Sequence, residues 1–206
     1  MKNIFDQISS YYETLIDQHG HNPRSCDYGS ELSQAAKFEV LSQVCSLENK
    51  TLLDVGCGFA DYANFLNKKE PSLIYHGVDI TPSMIKVAKE NNPNLSLRTL
   101  NILADSDGKG FDEKYDIVTA NGIFYLLGEN AEKLMQQLII KMFDIATIAV
   151  AFNSLSSFAA DIEENEFYAN PLEVLVFCQK ITPWVTLRQD YHSRDFTIYM
   201  YKEQNK

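Results

Sequence analysis

The sequence predicts an α/β fold, a mostly parallel sheet covered by helices, and three observations carry that prediction. From residue 51 onward, short runs rich in β-branched, aromatic and leucine side chains alternate with helix-like stretches. Glycine, asparagine and proline punctuate the junctions, as they do between the units of a parallel sheet. Near the end, 184–191 and 196–201 alternate apolar and polar residues across a hairpin-sized gap, so an antiparallel pair closes the sheet.

Five strands precede that pair, at 51–55, 73–79, 95–100, 115–120 and 145–152. Between them the spacing predicts helices at 60–67, 82–91 and 129–143. The last of these carries Leu134, Met135, Leu138, Ile139, Met142 and Phe143 on one face, the stripe of a helix packed on a core. Asn170, Pro171 and Glu173 read as a cap, a first-turn proline and a first-turn acid, opening a helix that runs to about Lys180. Residues 153–168 are polar and aromatic with no firm period, and a loop of that length reads as a lid. Ahead of the first strand, Ile4, Ile8, Tyr11 and Leu15 form one helical stripe, and Leu32, Ala36, Val40, Val44 and Leu47 another. The connection 19–30 is dense in ligand-bonding side chains, which is also the composition of a turn-rich linker. The expected organisation is one compact domain, with a helical cap at 1–48 and the core at 49–206.

Composition narrows the function. At 206 residues, 45% hydrophobic and 22% charged, the chain has globular composition, which excludes a disordered or collagen-like protein. Eighteen basic against 28 acidic side chains leave a net charge of −10, which argues against nucleic acid and anionic lipid as partners. The longest apolar run, 145–152, is far too short to span a bilayer, and the N-terminus has no secretory pattern, so the expected location is the cytoplasm. Cys26, Cys45, Cys57 and Cys178 lie far apart without metal-like pairing, and no disulfide or metal is expected.

The stretch LLDVGCGFADYANFL concentrates the chemistry. An apolar strand ends in Asp54 and passes Gly56 and Gly58 into a helix, where absent Cβ atoms let a ligand approach the backbone and the helix start offers unpaired N–H groups. Asp54 is equally able to hold the turn by accepting from neighbouring N–H groups. The next strand ends in GVDIT and brings Asp79 to its carboxyl edge, where a carboxylate can accept from both hydroxyls of a ribose. Helix capping is the other use for Asp79, although Thr81 is the better placed cap. Where a dinucleotide fingerprint needs its third glycine, this chain has Asp61, which would face phosphate. S-adenosylmethionine has no phosphate and carries a sulfonium and an ammonium, so an acidic lining from Asp54 and Asp61 suits it.

On these residues the sequence resembles the class I S-adenosylmethionine-dependent methyltransferases. Asp54, Gly56 and Gly58 match the family's glycine-rich first motif and Asp79 its ribose-binding acid, with residues 51 to about 128 carrying the likeness. The resemblance implies a Rossmann-like seven-stranded mixed sheet in the order 3-2-1-4-5-7-6, the last strand antiparallel and helices on both faces. It also implies Ile80 and Ile102 around an adenine, and Asn101 at a position where the family usually has an acid that accepts from the adenine amino group. Ala60 replaces a third glycine found in many members, at little cost in room. In TANGIFYLLGE, Asn121 and Gly122 would contact the cofactor, and Phe124 and Tyr125 would wall an acceptor pocket with Tyr12 and His21. Arg24 would pair with the cofactor carboxylate and Tyr28 would roof it. His19, His21 and His192 are the available neutral-pH bases, though alignment alone can drive methyl transfer, so no catalytic side chain is assigned. The expected activity is direct methyl transfer from S-adenosylmethionine to a small molecule, leaving S-adenosylhomocysteine. The alternative is a cofactor-binding protein that does not methylate, either a regulatory module or a cyclising or aminopropyl-transferring enzyme on the same fold.

Overall fold

The computed structural model describes residues 3–27, 29–104 and 112–204. Its centre is a seven-stranded sheet in the order β3-β2-β1-β4-β5-β7-β6. The strands are β1 (Thr51–Val55), β2 (Ile74–Asp79), β3 (Ser96–Thr99), β4 (Tyr115–Ala120), β5 (Ala146–Leu155), β6 (Val185–Arg188) and β7 (Asp195–Tyr201). The first five pair in parallel, and β7 runs antiparallel between β5 and β6. Sheet order and strand directions are those the family likeness implies.

Helices cover both faces: α1 (Ile4–His19), α2 (Glu31–Ser42), α3 (Asp61–Lys69), α4 (Pro82–Asn91), α5 (Ala131–Ile145) and α6 (Pro171–Gln179). None among the described residues is long and apolar enough to cross a membrane. Because both faces are covered, the central strands read as continuous apolar runs: Leu52, Leu53, Ile117 and Val118 have no exposure. Each such side chain contributes about 1.5–3 kcal/mol of burial, which fixes the sheet as the rigid base of the molecule.

α5 buries Met135, Leu138, Ile139 and Met142 against β4 and β5, the stripe read from its spacing. The second N-terminal helix is shorter than its stripe suggested. It ends at Ser42; Val40, Val44 and Leu47 of the stripe are buried as expected, but Leu32 is 83% exposed, and Phe38 and Leu41 turn inward beside Val40. α2 is tied into the sheet at its end: Tyr199 Oη donates to the Val40 carbonyl, and Tyr201 Oη to that of Val44 at 2.9 Å. The first helix buries Ile8, while Tyr11 of its stripe stays 39% exposed.

The lid reading of 153–168 fails at its start. β5 continues to Leu155, with Asn153 and Ser154 buried and paired to Thr197 and Phe196. Ser156 then bridges Ala169, and Arg194 grips Glu166 at 2.8 Å, so the segment is fastened at both ends. The strand outlasts its apolar run because β7 supplies pairing that a polar sequence does not advertise.

Beyond the sheet's carboxyl edge, β1 has β2 on one side and β4 on the other, and their connections leave in opposite directions. In open α/β sheets the ligand crevice lies at such a switch point.

Candidate functional site

A cavity of about 400 Å³ opens at that switch point. β1 carries Asp54 as its penultimate residue, and the chain then turns across the edge of β2, with the N–H groups of Gly56 and Cys57 both donating to the Val78 carbonyl. Gly56 sits at φ +76°, and a Cβ there would lie 2.3 Å from Ile123 Cγ2. Its lack of a side chain is thus required twice, by conformation and by the loop after β4. Gly58, at φ +53°, points its N–H at Asp79 Oδ2, 2.9 Å away.

Ala60 departs from the expectation of little cost. It lies at φ +63°, in the left-handed region that favours glycine, so its cost is conformational where the sequence suggested only a question of room.

Asp54 is buried at 3% exposure and accepts from Tyr75 Oη at 2.6 Å and Thr119 Oγ1 at 3.0 Å. Its partners are therefore hydroxyls from the two neighbouring strands, not the N–H groups of its own turn. Burial pushes its pKa up to about 7, against the lowering effect of those two bonds. Asp79 is pushed up by burial as well, while the Thr81 and Gly58 N–H groups pull it down. Asp79 Oδ1 takes the Thr81 N–H at 2.8 Å in a turn just ahead of α4, and Thr81, the N-cap as expected, makes no side-chain capping bond. Thr81 Oγ1 is buried without a hydrogen-bond partner. A carboxylate offers about four acceptor directions, so Asp79 keeps capacity toward the cavity.

Ile80, Asn101 and Ile102 border the cavity next to Asp79. Asn101 Oδ1 accepts from the Leu103 N–H at 2.9 Å, which occupies one of the two lone pairs of its amide oxygen. On the other side, Asn121 and Gly122 are held by a residue the sequence reading missed. Asn153, fully buried in β5, accepts from the Gly122 N–H at 2.7 Å and donates to Asn121 Oδ1 at 2.6 Å. The one signal for it was a polar side chain directly following an apolar strand.

Tyr12 and Tyr125 meet at the cavity wall with their hydroxyls 2.8 Å apart. Tyr125 and Tyr11 both donate to Asp27 Oδ2 at 2.9 Å. Burial drives the Tyr12 and Tyr125 hydroxyls far above the ordinary phenol range, so both remain protonated donors. Phe124 also borders the cavity, but it is 1% exposed and its ring packs edge-on against Phe152, so it belongs mainly to the core.

Two expected contributors lie elsewhere. His21 does not border the cavity; it bonds Asp61 Oδ1 at 3.2 Å and Asn91 and packs its ring on Phe59. Arg24 sits exposed in the 3-10 turn Pro23–Cys26, also away from the cavity. Tyr28 lies outside the described residues. The linker supplies Cys26, Asp27, Gly29 and Ser30 instead.

Asp27, Asp54, Asp61 and Asp79 all face this space. Such a donor set suits a ligand with hydroxyls and positive charge, and it opposes a pyrophosphate. Gly122, at φ +68° with nothing within 4 Å of a Cβ position, leaves open backbone beside it.

Comparison with known proteins agrees with this chemistry. Residues 53–142 match the family model described as a methyltransferase domain. A methyltransferase-named protein of Invertebrate iridescent virus 6 is 34% identical over 101 residues, covering 48% of this chain and 36% of the viral protein. A second, from Mycobacterium tuberculosis, is 26% identical over 159 residues, covering 72% of this chain and 91% of its own length. The chain therefore spans about a third of one relative and nearly all of the other. Among solved structures, the plantazolicin methyltransferase BpumL, in complex with a pentazolic desmethylPZN analog and SAH, shares the fold with a TM-score of 0.66 at 13% identity, covering 97% of this chain and 96% of that one.

Proposed function

We propose that the chain is a class I S-adenosylmethionine-dependent methyltransferase, which transfers a methyl group from S-adenosylmethionine to a small-molecule acceptor. The observation that carries this reading is the run of carboxylates around one cavity at the switch point, with two of them, Asp54 and Asp79, buried at the ends of adjacent strands. The cofactor supplies an activated methyl group on a cationic sulfur.

The chain's own residues bind, orient and exclude water. Asp79 accepts from the ribose hydroxyls, and the Gly56–Gly58 turn carries the backbone close to the cofactor. Ile80 and Ile102 would enclose the adenine, with the Asn101 amide beside it. Asn121 and Gly122, braced by Asn153, line the methionine part, where Asp54 and Asp61 offset its positive charge. Residues 1–48 act as the cap: α1 contributes Phe5, Ile8 and Tyr12 to the cavity wall, and Tyr12 and Tyr125 border the acceptor. The acidic lining favours a small molecule over a nucleic acid.

The test is to incubate the protein with S-adenosylmethionine and a fractionated small-molecule extract, and to follow products by mass spectrometry. Formation of S-adenosylhomocysteine with a methylated extract component is expected. Methylthioadenosine would indicate a different use of the cofactor, and cofactor binding with no turnover on any fraction would indicate a binding module.

A further inference from the structure

Along the wall of the same cavity, Ser33 meets two residues from the other end of the chain, His192 and Asp195, in a row. Ser33 Oγ lies 2.9 Å from His192 Nε2, and His192 Nδ1 lies 2.6 Å from Asp195 Oδ2. Asp195 Oδ1 is in turn 3.1 Å from Lys37 Nζ. Asp195 is 2% exposed, Lys37 13% and His192 19%, so the row is largely withdrawn from water. All four residues border the cavity. Its place follows from the topology: Asp195 opens β7 opposite Leu155, the last residue of β5, which puts it on the same edge of the sheet as Asp54 and Asp79.

The proton on the imidazole can be placed. The Arg194 N–H approaches Nδ1 at 3.2 Å, which asks for a bare Nδ1, whereas a carboxylate oxygen at 2.6 Å asks for a protonated one. The carboxylate contact is off the line of an ideal hydrogen bond, and a neutral imidazole meets it as a close charge–dipole contact. At that distance two bare lone pairs would repel strongly, and the charge-assisted contact outweighs a long neutral one. Nδ1 therefore holds the proton, and Nε2 presents its lone pair to Ser33 and the cavity.

A serine, histidine and aspartate in a row also describe a nucleophilic serine. For that role the nearest N–H groups, those of Ser33 and Gln34, are both committed to Ser30, and Lys37 is engaged by Asp195. We propose instead that His192, oriented by Asp195, takes the proton from a neutral ring hydroxyl of the acceptor, so that the substrate class is a phenol and not a carboxylic acid. This rests on the methyl-transfer reading above. The acceptor O–H bond breaks with its proton going to Nε2, the oxygen pair forms the new O–CH₃ bond, and the methyl–sulfur bond breaks with its pair left on sulfur. Asp195 offsets the charge that the imidazole gains. An ionised carboxylic acid needs no such base, and it would meet Asp27, Asp54, Asp61, Asp79 and Glu166 across a cavity walled by Phe5, Tyr12 and Tyr125.

The first test needs no turnover. Long-range nitrogen–proton correlation spectra of the labelled full chain, at a pH about two units above the ordinary imidazole value of about 6.5, report the tautomer of each of its four histidines, and His192→Asn assigns the signal. The Nδ1–H tautomer is expected at His192, and an Nε2–H tautomer overturns the proposal. Next, S-adenosylhomocysteine release is measured with phenols and the matching benzoic acids as probes. Turnover on phenols is expected to fall by about 10²- to 10⁴-fold in His192→Asn, with affinity for S-adenosylhomocysteine within twofold of the parent. Turnover on the benzoic acids alone, or indifference to the substitution, overturns it. If S-adenosylhomocysteine fails to bind the parent protein, it is the cofactor reading that fails, and the tautomer still decides the state of His192.

Discussion

The two edges of the sheet hold carboxylates under opposite conditions. At the amino edge, Asp116 of β4 takes the N–H and hydroxyl of Thr51 at 2.9 and 3.0 Å and the Thr147 hydroxyl at 3.2 Å, lacing β1, β4 and β5 together. Burial acts on it, but those bonds outweigh burial and hold its pKa below the ordinary carboxylate range. At the carboxyl edge, Asp54 has two hydroxyl partners and Asp79 two N–H groups, and burial wins in both. Asp116 is only partly buried and has Lys50 nearby, so its bonds keep it charged. Asp54 and Asp79 lie deep enough that burial outweighs their donors, and a ligand carrying hydroxyls and positive charge would offset that burial.

The largest effect expected from this contrast is at Asp79. Asp79→Ala removes the ribose acceptor and the partner of two loop N–H groups, and should weaken S-adenosylhomocysteine binding by about 100-fold, or roughly 3 kcal/mol, by calorimetry. Asp54 should show itself through pH. Its folded pKa of about 7 lies above its ordinary value of 3.8, so the folded chain binds the extra proton and the ligand-free protein loses stability as pH rises between about 4 and 7. Asp54→Asn should abolish that slope in thermal melts, raise ligand-free stability at pH 8 by an amount on the order of 2 kcal/mol, and weaken binding of the cationic cofactor.

Asp116 should behave in the opposite way. Its lowered pKa gives stability that is present above the ordinary carboxylate value and lost as pH falls through the folded one. Asp116→Ala should cost about 1–3 kcal/mol in denaturant unfolding while leaving cofactor affinity within twofold. The smallest effect belongs to the turn between the two carboxylates of the cavity edge: Ala60→Gly relieves a left-handed alanine and should stabilise the chain by about 1 kcal/mol in the same melts.

Strands and the glycine turn were legible because their causes are local. Apolar runs such as that of β1 and β4 can only be buried strands here, and Asp54, Gly56, Gly58 and Asp79 sit at fixed offsets from strand ends. What could not be read is what distant chain segments bring. Asn153 reaches Gly122 across 31 positions, and Ser33 meets His192 across 159, with no local pattern to announce either. Conversely, His21 and Arg24 drew notice from a linker rich in polar side chains, yet composition does not say which way a turn faces, and neither borders the cavity. The polar start of 153–168 misled for the same reason, since pairing with β7 made a strand of it.

A calorimetric titration with S-adenosylmethionine, followed by NAD in the same cell, tests the acidic cavity edge most directly. S-adenosylmethionine should bind one site per chain, more weakly at pH 6 than at pH 8 as Asp54 takes up its proton, and NAD should give no heat. Binding of NAD, or no binding of S-adenosylmethionine at either pH, would contradict a cavity built for a cationic, phosphate-free cofactor.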